Sequence, residues 1–221
     1  MGFVNRAKVA LAIPRSLLLN IKLFGWEGGV RIPVLFSNRV SVKGLRKGSM
    51  RISHPTRFGV RIGFGGSLGV SRNRAAVIVD NGGVIEFDGV ANLCEGTVMR
   101  VEGGHLIFGA NFNSNKNCCY WCNDEIVLGD DCLLGWNVSL RDMDGHTVFG
   151  PDGEQTNAPV GVHVGNHVWI AADVGVFKGS SIPDGCIVAA RALLTRRFDE
   201  PNALIGGLPA KVIRRDVSWK L

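Results

Sequence analysis

Along residues 164–194 the large aliphatic side chains recur at a fixed interval. Val164, Ile170, Val176, Ile182, Val188 and Leu194 stand six apart. Four positions after each of the first five comes a small or β-branched residue: Val168, Val174, Ser180, Cys186 and Ala192. The rule reads upstream in Leu128, Leu134 and Leu140, with Cys132 and Val138 in the second slot. It reads again in Phe87, Leu93 and Met99, and Phe108 restarts it with Phe112 and Cys118. The register jumps between Met99 and Phe108 and between Tyr120 and Leu128, which predicts loops or irregular corners there.

A period of six does not keep residues on one helix face. Nor does it suit hairpins, which need turn dipeptides between alternating runs. It fits a short strand plus a corner. Three such sides close one coil, and stacked coils bury the large residues along their axis. Gly109, Gly129, Gly135 and Gly165 follow the aliphatic position, where they suit backbone conformations that a side chain would obstruct. An all-β solenoid is expected over residues 46–206, after a basic, apolar segment 1–45 read as helix and strand. Residues 207–221 read as a loop into a short helix begun by Pro209, capping the open end. The hexads stop at Leu140 and resume at Val164. The turn-rich stretch 141–163 between them ("DMDGH", "FGPDGE", "TNAP") predicts a projecting loop.

Composition adds less. With 46% hydrophobic and 20% charged residues, the 221-residue chain has an ordinary globular balance, and its 30 glycines suit many tight turns. Charge is uneven. Residues 1–61 carry 12 Lys/Arg against the single acid Glu27, although the whole chain is only +6. That flank is either plain solvated surface or attracted to an anionic partner such as a membrane surface. No motif for nucleic acid accompanies it. No segment reads as long enough to span a bilayer, since Pro14-Arg15 cuts the first apolar stretch. Gly2 lacks the downstream Ser/Thr of a myristoylation signal, with Arg6 in its place. A cytoplasmic protein is expected, with peripheral contact to the inner face of the membrane through the basic start. The six cysteines read as buried thiols. Cys119-x-x-Cys122 has no second pair to complete a zinc site, and no metal is expected.

The candidate chemistry sits in "RDMDGHTV", where the repeat breaks. His146 suits a general base, because imidazole titrates near neutral pH. Asp142 or Asp144 is placed to accept from its second ring nitrogen; the alternative is that both hold the loop as Asx turns. Trp136 and Asn137 precede the motif by one strand and are candidates for shaping its pocket. Trp169 falls next to an inward aliphatic position and so faces outward, as an interface or ligand wall, or lies buried under the loop.

Hexads of the form aliphatic-Gly-x-x-small-x resemble those of the hexapeptide-repeat acyltransferases, over roughly residues 75–215. The resemblance implies a left-handed parallel β-helix; generic chirality rules would give right-handed crossovers. The end, "VWIAADVGVFKGSSIPDGCIVAARALLTRRFDEPNALIGGLPAKVIRR", looks like the family's closing pattern, departing from it at Ala171, Arg196 and Leu208. The D-x-D-x-H stretch resembles the members that O-acetylate capsule, exopolysaccharide or lipopolysaccharide sugars. The resemblance implies acetyl-CoA as co-substrate, a sugar or glycan acceptor, and a homotrimer with sites between subunits. The hydroxyl would attack the thioester directly, with no Ser or Cys nucleophile. Asn113, last residue of "ANFN", is by this match an acceptor-site candidate; the alternative is a ladder residue. Ala172 and Ala190 match positions on the pantetheine arm, Thr195 and Arg196 the nucleotide end, and Lys211 and Arg214 basic positions of the terminal segment.

Three other readings are weighed. An N-acyltransferase on a nucleotide-linked amino sugar needs a base too. A gamma-class carbonic anhydrase uses similar coils and three zinc-bound histidines, which His146, His163 and His167 superficially match. A non-catalytic solenoid scaffold would leave His146 incidental.

Overall fold

The hexad positions point inward. Val164, Ile170, Val176, Ile182, Val188 and Leu194 are at most 2% exposed, as are the small residues in the second slot, Val168, Val174, Ser180, Cys186 and Ala192. The computed structural model describes residues 6–220; residues 1–5, with the Gly2 position, and residue 221 lie outside it. Among the described residues, short strands assemble into three sheets of nine, seven and six strands, and every third strand returns to the same sheet. Neighbouring coils pair in parallel register, Val164 with Ile182, Ile170 with Val188 and Val176 with Leu194. The result is a parallel β-helix of triangular section whose core is the column of inward side chains. Where the hexad register jumps, the coils take more residues per turn and hold aromatic rings. Phe87 stacks on Phe108 at 5.0 Å, and Tyr120 meets Phe108 edge-on at 5.1 Å.

Two kinds of residue make the corners. A Cβ at Gly129 would stand 2.7 Å from the Gly165 backbone, and one at Gly135 would stand 2.7 Å from the Ala172 nitrogen. These glycines are required by the approach of the next coil, not by a left-handed backbone. Positive φ falls instead on Asn117, Asn137, Asp173 and Arg191 at one corner and on Asn111, Asp131 and His167 at another. Asn and Asp tolerate that region better than other side chains. Their side chains then link coil to coil: Asn117 donates to Asn137 at 3.0 Å, and Asn137 to Asp173 at 2.8 Å.

The first coil begins at strand Val34–Phe36, inside the stretch read as an N-terminal segment. Before it runs one helix, α1 (Arg6–Gly29), broken by a non-helical Gly25. Its inward face carries Ala12, Ser16, Asn20 and Leu23. Ser16 and Asn20 are one helical turn apart, and Val34 and Phe36 are two strand residues apart, both roughly 6–7 Å. The match lets Asn20 bond both peptide groups of Val34 (2.7 and 3.0 Å), while Ser16 accepts from Phe36 N at 3.0 Å. The free edge of the nine-stranded sheet is thereby closed against pairing with another chain. By length and composition α1 is long and apolar enough to cross a bilayer, which overturns the expectation that no segment is. Pro14 is accommodated inside the helix, and Arg15 turns inward to the carbonyls of Ser37 and Val40.

The closing segment is also corrected. Ala210–Arg214 is a strand, antiparallel to Leu204–Gly207, and no short helix caps the end. Pro209 lies in the turn between them. Ala210 is buried and Val212 half-buried, while Lys211 and Ile213 are exposed, an alternation of two. Beyond it the chain folds back, and Trp219 stacks on His167 with ring centroids 4.3 Å apart.

Candidate functional site

The projecting loop leaves after strand Ser139–Arg141 of the seven-stranded sheet and returns at Val162–Val164 of the six-stranded sheet. It therefore emerges from the prism edge opposite the nine-stranded sheet. Its legs run antiparallel, with a bridge between Phe149 and Gln155 and a bond from Thr156 N to Val148 O at 2.9 Å. One residue that the sequence reading did not single out ties the legs together. Asn157 donates to the His146 carbonyl at 2.8 Å and to Asp144 Oδ2 at 3.0 Å, and accepts from Val148 N at 2.7 Å. His146 is exposed, and its imidazole makes no hydrogen bond within the described residues.

Neither aspartate pairs with that ring. Asp142 is completely buried, and its carboxylate accepts from Asn123 N at 2.9 and 3.0 Å and from Asp124 N at 2.8 Å. Where the chain leaves the coil, those two N–H groups would face an empty position; the Asp142 side chain fills it. Burial raises its pKa, opposed by the two backbone donors. Asp144 bonds Lys178 of the next coil as well as Asn157, and these two donors lower its pKa. Lys178 was likewise not singled out in the sequence. Both acids tie the loop to other parts of the fold, through long-range bonds and not through the Asx turns of the alternative reading.

The remaining candidates fall into three places. Thr195 and Arg196 follow strand Leu193–Leu194 on the same edge as the loop, and the Arg196 guanidinium lies 5.0 Å from the Phe198 ring centroid. Trp136, Ala172 and Ala190 occupy equivalent positions of successive coils on the next edge, because Leu134, Ile170 and Val188 are paired. Asn137 stands beside them, but its amide is spent in the corner ladder. Asn113 and Trp169 share a column on the outer face of the nine-stranded sheet, through Leu133. Asn113 accepts from Asn92 at 3.2 Å and donates to Asn111 O at 2.9 Å, so it does form part of a ladder. Trp169, 38% exposed, is partly covered by Trp219 at 6.2 Å and not by the loop. Lys211 and Arg214 lie on the last strand of that sheet. One chain thus sets His146 and Asn113 on opposite sides of the prism.

Among the described residues no three His, Cys, Asp or Glu side chains are grouped to hold a metal. His163 faces Glu125 at 3.7 Å and His167 is stacked under Trp219, so His146, His163 and His167 do not converge. All six cysteines are free thiols, and burial pushes Cys118 and Cys132 up to about 12.

Stacked hexad coils make a parallel β-helix, the fold of the hexapeptide-repeat acyltransferases. In sequence the chain is similar to acetyltransferases over about half its length. No protein-family model matches it. Galactoside O-acetyltransferase of Escherichia coli K12 is 31% identical over 115 residues, 51% of this chain and 55% of that protein. A chloramphenicol acetyltransferase of Agrobacterium fabrum is 42% identical over 110 residues, 42% of this chain and 52% of its own. A polysialic acid O-acetyltransferase of Escherichia coli O1:K1 is 26% identical over 132 residues, 57% and 41% respectively. The chain thus spans about half the length of these relatives. Among solved structures, the polysialic-acid-specific acetyltransferase NeuO shares the fold, with a TM-score of 0.52 at 18% identity over 86% of this chain and 79% of that one.

Proposed function

We propose that this protein transfers an acetyl group from acetyl-CoA to a hydroxyl of a sugar, in a bacterial surface polysaccharide or its precursor. The observation that carries the reading is His146: Asn157 fixes its backbone at the loop root while its imidazole stays unbonded and exposed. His146 removes the proton from the acceptor hydroxyl as its oxygen attacks the thioester carbonyl; the C–O bond forms, the C–S bond breaks, and the CoA thiolate takes up a proton. A positioned base contributes about 10²–10⁴-fold. The thiols at Cys118 and Cys132 stay protonated near neutral pH, which favours direct transfer over a cysteine-bound intermediate.

The residues suit the co-substrate. Trp136, Ala172 and Ala190 form an edge of one exposed ring and two small residues, along which an extended arm can lie. Arg196 and Lys211 are exposed cations suited to phosphates. They stand on different faces of one chain, as His146 and Asn113 do. Assembly as a homotrimer, with each site between copies, reconciles these positions. The exposed Phe149 and Val148 near the loop tip support it by offering apolar contact surface.

The test is acceptor-dependent CoA release from acetyl-CoA with a panel of hydroxyl sugars and amino sugars, products read by mass spectrometry. O-acetylated product supports the proposal. Acetylation of amino sugars alone would move the reaction to nitrogen, and absence of any transfer by folded protein that binds acetyl-CoA would refute it.

A further inference from the structure

The face of α1 turned away from the β-helix has no partner in the described residues. Leu11 and Leu18 are each 70% exposed and Trp26 72%, and Pro14 is exposed between them. Spacings of three and four put Leu11, Pro14 and Leu18 on one side of the helix, opposite Ser16 and Asn20, and the exposed Trp26 follows just after the break at Gly25. The inner face is tied to strand Val34–Phe36 by the bonds of Ser16 and Asn20, so the outer stripe is not available to the protein's own core.

Cations surround the stripe. Arg6, Lys22 and Arg31 are exposed on or just after α1, Arg57 shares a cavity with Phe24 of the helix, and Arg46 and Lys47 are exposed further along the first coil. Glu27 is the only acid in residues 1–61. Next to the C-terminal end of α1 lies a cavity of about 450 Å³, lined by Phe24, Val30, Ile52 and Pro55 with Arg31 and Arg57. Apolar walls with two guanidinium groups suit the glycerol backbone and phosphate of a lipid headgroup.

We infer that the outer face of α1 docks on an anionic phospholipid bilayer, with Leu11, Leu18 and Trp26 entering the headgroup region and the surrounding cations meeting lipid phosphates. Apolar burial and attraction to anionic lipid add in such helices. The helix lies on the surface and does not cross, because Ser16, Asn20, Arg15 and Leu23 are committed to the β-helix. A second copy of this chain is the less fitting occupant, since two such basic faces repel. The inference stands apart from the acetyl-transfer proposal, because its readout is bound lipid.

Sedimentation with vesicles of phosphatidylcholine alone, or mixed with phosphatidylglycerol, tests it on the full chain at low and high salt. The wild type is expected to bind the mixed vesicles and to be weakened by salt. Leu18→Glu should bind at least about tenfold more weakly with an unchanged melting curve. Should Leu18→Glu melt lower, Lys22→Glu with Arg57→Glu serves instead, with the same expected loss. Equal binding of wild type and folded variants, or no binding of the wild type to either vesicle, would overturn the inference. So would a loss of self-association in Leu18→Glu when the wild type ignores vesicles, which would assign the face to a second copy.

Discussion

Replacing Asp142 separates a structural carboxylate from a catalytic one. In Asp142→Ala the part-buried N–H groups of Asn123 and Asp124 lose the acceptor that the buried Asp142 side chain supplies. Each orphaned buried donor costs about 1–3 kcal/mol. The wild-type carboxylate is itself poorly solvated there, since burial raises its pKa. Removing it returns part of that cost, so the net loss is about 2–4 kcal/mol. Asp142→Asn keeps one acceptor oxygen within reach of both donors and should lose only about 1 kcal/mol. The pH dependence has a definite sign. The folded-state pKa lies above the ordinary aspartate value of 3.8, so the folded protein holds its proton more tightly. Wild-type stability therefore falls as pH rises from that value through the raised one, and Asp142→Asn removes this slope. Guanidinium unfolding at one fixed protein concentration, followed by far-UV circular dichroism, reads all three proteins. An Asp142→Ala midpoint equal to wild type would refute the reasoning. A loss of kcat in folded Asp142→Asn as large as in His146→Ala would return the carboxylate to the catalytic machinery.

Other consequences follow from the same geometry. Asn157→Ala frees both legs of the loop and should lower kcat about tenfold or more while leaving the unfolding midpoint near wild type, read by steady-state kinetics beside denaturation; unchanged kcat would count against loop positioning. Lys178→Met removes the donor that most lowers the Asp144 pKa, and chymotryptic cleavage at Phe149 should rise about two- to fivefold at neutral pH. That protection is present above the ordinary carboxylate pKa and disappears as pH falls through the lowered one, so wild type and variant should converge in acid. Asn20→Ala strands both peptide groups of Val34 and should cost about 2–4 kcal/mol in chemical denaturation. The proposed site between copies predicts that Asn113→Ala and His146→Ala chains refolded together recover activity that neither has alone; no recovery would place both groups in one subunit's site.

The regular coils were legible because a core residue every six positions has no competing explanation in helix or hairpin geometry. The corners were legible only as places, not as causes. Gly135 announces a tight approach, but the Ala172 backbone that it meets comes from a later coil. The motif "RDMDGHTV" marked a break in the repeat, where the structure has a projecting loop, but it did not show what Asp142 bonds. Its role depends on two N–H groups in the preceding coil that the departing chain would have left bare. The terminal strand failed for a related reason. Pro209 is a common first residue of a helix, and only the exposed edge of Leu204–Gly207 decides that Ala210–Arg214 pairs as a strand. Ser16 and Asn20 look like misplaced polar residues in an apolar helix until the free edge of the first strand is seen.

The central claim is that His146 is the base in an acetyl transfer from acetyl-CoA. The most direct measurement is acceptor-dependent CoA release by His146→Ala beside wild type, with folding and acetyl-CoA affinity checked in both. The account predicts a fall in kcat of about 10²–10⁴-fold with acetyl-CoA binding retained; transfer at the wild-type rate in the variant would contradict it.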